Sequence, residues 1–236
     1  MAWVFLAVGV LGFAPTYWVP MLRGSLQVEP LTHIHAFLFY GWLVLFWWQA
    51  TLVSDGRTPR HREIGVAGVS LATAMCFVGL TTALQTVRQQ QAAGYDEAAR
   101  AFSIVPIGSV ALFACLFAIA VVYVKRPEIH KRFMSVATAS LLQAGLARWF
   151  LLFLAPPRPA GAVAPPPPVV VSLFPGLLID LFIVAMMIHD RRTLSRVHPA
   201  YWVAGAIVLA FQVLRVPFSG TGAWMRTTEW LLALAP

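Results

Sequence analysis

The sequence predicts an all-α integral membrane protein, a bundle of seven transmembrane helices, and three observations lead there. Of its 236 residues, 59% are hydrophobic and only 11% are charged, against roughly 45–50% and about 25% in soluble domains. The apolar residues gather in blocks that approach the ~20 residues needed to cross a hydrocarbon core. None of the blocks keeps the strict alternation of a transmembrane barrel.

The first block, about 2–22, has no basic residue before it, so it reads as a retained span and not as a secretory signal. The next five lie at about 32–53, 63–87, 103–124, 132–154 and 169–189, and the last at about 199–217. Between the fifth and sixth stands "APPRPAGAVAPPPP" (155–168). Proline lacks the amide donor and clashes with the preceding turn, so this segment is expected to be a stiff extended loop. Residues 1–217 thus form the seven-span domain. The tail 218–236 is too short to span, and Trp224 and Trp230 place it at an interface.

The basic residues orient the bundle. Arg57, Arg60 and Arg62 fall in the second loop; Lys125, Arg126, Lys131 and Arg132 in the fourth; Arg191, Arg192 and Arg196 in the sixth. These ten of the 17 Lys and Arg residues share one face, which the positive-inside rule makes cytoplasmic. The N-terminus is then inside and the C-terminus outside. The net charge of +8 is mostly this topology signal, with some attraction to anionic lipid. Nucleic acid is not an expected partner, because no basic face interleaved with aromatics is present. The expected partners are the lipid bilayer and other membrane subunits.

The same loops carry a weak repeat. "RTPRHRE", "KRPEIHKR" and "SRVHP" each place a histidine where an odd-numbered span begins; His61, His130 and His198 are 69 and 68 residues apart. The period suggests three helical hairpins and a leading helix. A shared helix–loop–helix length would produce much of it alone. Cys76 and Cys115 lie inside apolar blocks and imply neither a disulfide framework nor a thiolate metal site.

Few residues are left to carry chemistry. His33 and His35 sit at the outer mouth of the second span. Residues two apart do not share a helix face, so they converge on one metal only if the helix begins near them. Phe39, Trp42, Phe46 and Gln49 follow His35 as one stripe, suited to a flat cofactor such as haem or quinone and equally to ordinary helix packing. His61, His130, His189 and His198 form a cytoplasmic set, of which His61 and His130 are the alternative metal or haem ligands. Three ionisable groups fall inside spans: Arg148, Asp180 and Arg215, each costly in lipid unless it faces the interior and is paired. With Gln143 and Gln212 they suggest a polar pocket in the outer half, where the arginines face an anion, or else an Asp180–Arg ion pair. The site expected from the sequence therefore has His33 and His35 on a metal ion or haem b, with Gln49, Gln143, Arg148, Asp180 and Arg215 around the cofactor. No nucleophile elbow, phosphate-binding glycine loop or HExxH helix occurs. No lysine lies in a span, which excludes a retinal Schiff base.

"HAFLFYGWLVLFWWQATLVSDGRTPRHREIGVAG" and "RPEIHKRFMSVATASLLQAGLAR" resemble a widespread class of uncharacterised bacterial multi-span proteins. Their pattern has a histidine opening one span (His35) and a glutamine closing it (Gln49). HR-x-x-G opens the next (His61, Arg62, Gly65), and H-x-R-x-M opens a later one (His130, Arg132, Met134) with an arginine near its end (Arg148). The resemblance covers about residues 30–150 and implies a fold, not an activity. More loosely, the chain is similar to transmembrane b-type cytochromes, which implies haem between histidines and a redox role. The other class of function is a non-catalytic membrane subunit that binds lipid, pigment or a partner. Seven-span zinc hydrolases of the ceramidase and adiponectin-receptor kind share the span count and orientation. They carry an HxxxH in the last span, and no histidine follows His198 here.

Overall fold

Prolines mark where the helices begin. In the computed structural model, which describes residues 1–154 and 162–234, helix α3 (Pro30–Ser54), α4 (Thr58–Ala92), α7 (Pro127–Leu141) and α10 (Pro199–Ser219) each have proline in the first two positions. Proline suits that place, because its missing N–H would have no helical partner there and its φ is already helical. These helices therefore start up to five residues before the apolar blocks do.

The other elements are α1 (Ala2–Gly12), a π-helical turn (Ala14–Trp18), α2 (Val19–Leu22), α5 (Asp96–Phe102), α6 (Ile104–Val122), α8 (Gln143–Leu154), a 3₁₀ turn (Val169–Ser172), α9 (Leu173–Leu194) and α11 (Gly222–Leu234). No strand occurs among the described residues. Six helical stretches are long and apolar enough to cross a membrane: 30–54, 58–92, 96–122, 127–154, 169–194 and 199–219. The first block is not one straight helix but two pieces, Ala2–Gly12 and Ala14–Leu22, that meet at 40°. Pro15 and Pro20 each remove an amide donor from this stretch, and the π turn absorbs the mismatch. The block at 132–154 is likewise divided, with Leu142 between α7 and α8.

Helices α3 and α4, α6 and α7, and α9 and α10 pack as neighbours, and α1 lies against α3 and α8. The core between them includes Phe5, Trp42, Met75, Leu116, Val136, Ile179, Ala204 and Val208, all buried. At the α1–α8 crossing the backbones nearly touch. A Cβ on Gly12 would stand 2.7 Å from the Cα of Gly145, so only glycine fits. The connections at the end bearing the basic loops are tight: Gly56 (φ 72°) and Ser195 (φ 59°) take left-handed conformations there.

The opposite, far end is built up. Helix α4 is 35 residues long, about 52 Å at the usual rise, and so exceeds the ~30 Å hydrocarbon core. Helix α5 folds back from it, and α11 packs on both. Arg100 pairs with Asp96 and Glu229. The Ser103 and Thr228 hydroxyls are 3.1 Å apart, and the Trp224 indole donates to the Arg100 carbonyl at 3.0 Å. A boundary at 217/218 thus falls inside α10, because Pro217 removes one hydrogen bond without ending the helix. Trp224 is buried in this packing while Trp230 is exposed. Half of the expected proline-rich loop, residues 155–161, lies outside the described residues; 162–168 form neither helix nor strand.

Candidate functional site

Polar groups concentrate in three places: the basic end, the middle of the α9–α10 interface, and the far end around the π turn.

At the basic end, Arg132 is fully buried. Its Nε and Nη2 donate to the two oxygens of Asp190, both at 2.7 Å, and Nη1 donates to the carbonyl of Glu128 at 2.7 Å and to its carboxylate. Asp190 also accepts the His198 backbone N–H at 3.2 Å. The His198 imidazole in turn caps α10, its Nδ1 accepting the Ala200 N–H at 3.1 Å. Burial, and then the nearby Arg132 charge, hold the His198 pKa below its usual value, which suits a ring that must accept. This network ties α7 to α9 and α10. Sequence reasoning missed it by counting Arg132 as a loop charge and leaving Asp190 unassigned. The one readable signal was the Glu128–Arg132 spacing of four residues.

Beside it lie the two histidines of the HR-x-x-G and H-x-R-x-M motifs. The His61 and His130 rings are near-perpendicular, with centroids 6.3 Å apart. The Nδ1 of His130 is 2.8 Å from the Ala120 carbonyl. The Nδ1 of His61 and the side-chain oxygen of Gln49 are both buried with no hydrogen-bond partner in the protein.

In the middle, Arg215 is buried and held by neutral acceptors. Nη2 donates to the Ser172 carbonyl at 2.8 Å and Nη1 to Gln143 Oε1 at 3.4 Å, while the guanidinium stands 5.2 Å from the Phe211 ring. Asp180 accepts from Gln212 Nε2 at 3.2 Å. An Asp180 ion pair with Arg148 or Arg215 does not form among the described residues. Gln212 occupies the carboxylate in its place and also donates to the Gly176 carbonyl at 3.2 Å. Arg215 Nε, Gln212 Oε1 and Asp180 Oδ2 are buried without partners.

At the far end the structure separates the two histidines of the HxH. His33 is exposed and its Nδ1 is 2.8 Å from the Tyr17 hydroxyl, whereas His35 turns inward and stacks on Phe39 with centroids 4.1 Å apart. The stripe beyond His35 meets side chains. Trp42 packs edge-on against Phe113 and Phe117 and donates to Thr138 at 3.3 Å, and Phe46 stacks on Phe5. Arg148, on α8, is exposed and has its guanidinium 5.5 Å from the Phe13 ring. It has no hydrogen bond or ion pair among the described residues. Phe13 meets Tyr40 at 6.2 Å and Tyr40 meets Trp18 at 4.9 Å, forming one aromatic wall from α8 to the π turn. His35 Nδ1, Thr16 Oγ1 and Trp18 Nε1 are buried here with no partner in the protein. Arg148 and Arg215 therefore serve separate surroundings, the first open and aromatic, the second closed and amide-lined.

No group of three or more His, Cys, Asp and Glu side chains suited to a metal ion occurs among the described residues. A crevice of about 460 Å³ between α4 and α6, lined by Ala72, Cys76, Phe77, Ala111 and Phe117, is mostly apolar, with the single thiol of Cys76 and the Thr73 hydroxyl on its wall. Comparison with family models, with curated proteins and with solved structures finds no match, so the geometry of its own residues is what bears on the function.

Proposed function

We propose that the chain is a multi-pass protein of the bacterial cytoplasmic membrane that holds a ligand bearing an anionic group in its outer half, against Arg148 and His35. The proposed topology has seven spans, the bent α1–α2 stretch included, with the N-terminus inside and the C-terminus outside. The ten basic residues of the three loops support that orientation.

The observation that carries the ligand is the incompleteness of the far-end cluster. A guanidinium with only an aromatic ring for company is expensive at membrane depth, and a buried orphaned donor or acceptor costs about 1–3 kcal/mol. Arg148 and the three orphaned atoms of Thr16, Trp18 and His35 stand on elements that pack together. An anion on Arg148 whose polar atoms reach His35 and the π turn would relieve them in one step. A π-helical turn at this point agrees with such a role, since such turns are frequent at functional sites.

The reading makes the chain a ligand-holding membrane subunit, alone or with other membrane subunits. A haem b is the second reading. Its propionates would present the same charge to Arg148, and the inward-turned His35 imidazole stacked on Phe39 beside that charge is the observation that favours it; a redox role would follow with the haem. Gln143 and Arg215 belong to the separate, closed cluster with the Ser172 carbonyl.

The test is a native mass spectrum, an ultraviolet–visible spectrum and a metal analysis of protein purified in mild detergent. A co-purifying anionic species is expected in the wild type and in His198→Ala, and is expected to be lost in Arg148→Gln and in His35→Ala. A wild-type protein free of any bound species, and indifferent to added anionic lipid, overturns the proposal. A Soret band lost with His35→Ala selects the haem.

A further inference from the structure

The geometry points to a second, separate site at the basic end: a late transition-metal ion of low charge, Cu(I), held between the imidazoles of His61 and His130. Its first support is the hydrogen bonding of the two rings. A carbonyl can only accept, so the 2.8 Å contact to Ala120 places a proton on Nδ1 of His130 and makes Nε2 the nitrogen free to bind a metal in the neutral ring. A ring nitrogen fixed in this way by a backbone carbonyl is the usual support of a metal-bound histidine. In His61 the Nδ1 is buried and partnerless.

The spacing fits. With a metal–nitrogen bond of about 2.0 Å, and about 1.1 Å from nitrogen to ring centre, two imidazoles on one ion have centroids about 5 Å apart at a tetrahedral angle and about 6 Å apart in line. The observed 6.3 Å belongs to the linear case.

Charge and softness choose the ion. No third His, Cys, Asp or Glu joins the pair among the described residues, so its donors are neutral. The loops around it carry Arg57, Arg60, Arg62, Lys125, Arg126 and Lys131. Two neutral donors leave the full charge of a dication uncompensated, and such neighbours repel it. A monovalent d¹⁰ ion suffers half the repulsion and accepts two ligands in line. Met134 follows His130 by one turn on the same face of α7, and a thioether is a donor that prefers Cu(I). The orphaned side-chain oxygen of Gln49 is a further neutral donor on the neighbouring helix. This site shares no residue with the one at Arg148 and stands or falls independently of it.

The experiment loads the purified full-length protein with Cu(I) under anaerobic conditions and challenges it with a Cu(I) chelator. In parallel arms it is loaded with Zn(II) and with haem. One retained equivalent of Cu(I) is expected. His61→Gln and His130→Gln are each expected to weaken it by at least about tenfold, while His33→Ala and His198→Ala leave it unchanged. X-ray absorption on the loaded wild type is expected to show two nitrogen ligands, which holds whether or not a variant folds. No retained copper, copper without nitrogen ligands, preference for Zn(II), or a reconstituted haem band that needs both histidines would each overturn the proposal.

Discussion

Asp190→Asn is expected to be among the most damaging single changes outside the apolar core. Asp190 accepts three hydrogen bonds, two from Arg132 and one from the His198 backbone, and its side chain is only 7% exposed. The amide keeps the shape but removes the charge and turns an NH₂ group toward a guanidinium or a backbone N–H. Breaking a buried pair by removing one partner costs about 3–5 kcal/mol. At roughly 2–4 °C per kcal/mol for a chain of this size, the apparent Tm in detergent should fall by about 6–20 °C. The lower part of that range is the better expectation, because Glu128 still contacts Arg132. Glu128→Gln provides the contrast. It removes a carboxylate from the same guanidinium, but this one is 52% exposed, and exposed pairs contribute about 0.2–1 kcal/mol. Its Tm should fall by no more than about 4 °C. The pair Arg132→Met with Asp190→Leu should be less damaging than either single change, since it leaves no stranded charge. Measuring these two variants, the pair and its two single changes by tryptophan fluorescence or size-exclusion thermostability decides the matter. Equal losses for Asp190→Asn and Glu128→Gln would refute the reasoning, because burial would then not govern the cost.

Two further expectations use the same material. His198 caps α10 as a neutral ring with its pKa held below the ordinary value, so its contribution is present above about pH 6.5 and is lost as pH falls toward the folded-state pKa. His198→Asn, which caps without titrating, should lose less Tm than the wild type between pH 7.5 and pH 5.5; equal losses would remove the cap from the account. For topology, a C-terminal alkaline phosphatase fusion should be active and a cytoplasmic reporter at the same place silent, and the opposite pattern would invert every inside–outside assignment made above.

Hydropathy made the helices legible, because crossing ~30 Å of hydrocarbon imposes length and composition on each of them. It located ends less well. The ends depend on single residues: the prolines in the first two positions that start α3, α4 and α7 early, and Pro15 and Pro20, which bend the leading block. Depth along a helix was readable, so Arg148, Asp180, Gln143 and Arg215 were picked out as residues needing an explanation. Partners were not readable. Whether Asp180 meets an arginine or Gln212 depends on which way each helix is turned about its own axis, and the spacing of charges in the chain does not fix that rotation.

The same limit explains the contrast between the two ends of the bundle. Both carry histidines and arginines, and from the sequence the far end looked the more loaded because its polar groups sit deeper. Rotation decides otherwise for some of them. Arg132, which seemed a mere loop charge, turns inward and finds a carboxylate, two acceptors on Glu128 and the Tyr201 ring at 5.5 Å. Arg148, which seemed to demand a carboxylate, finds only Phe13. A cation satisfied three times over near headgroup water is a fastener, and replacing its carboxylate should change stability. A cation left with one aromatic ring, beside orphaned atoms on His35, Thr16 and Trp18, contributes little that its removal could destabilise. Arg148→Gln should therefore leave the Tm of ligand-free protein unchanged or raise it, while abolishing capture of the anion. That separation of stability from binding is what distinguishes a site from a structural charge.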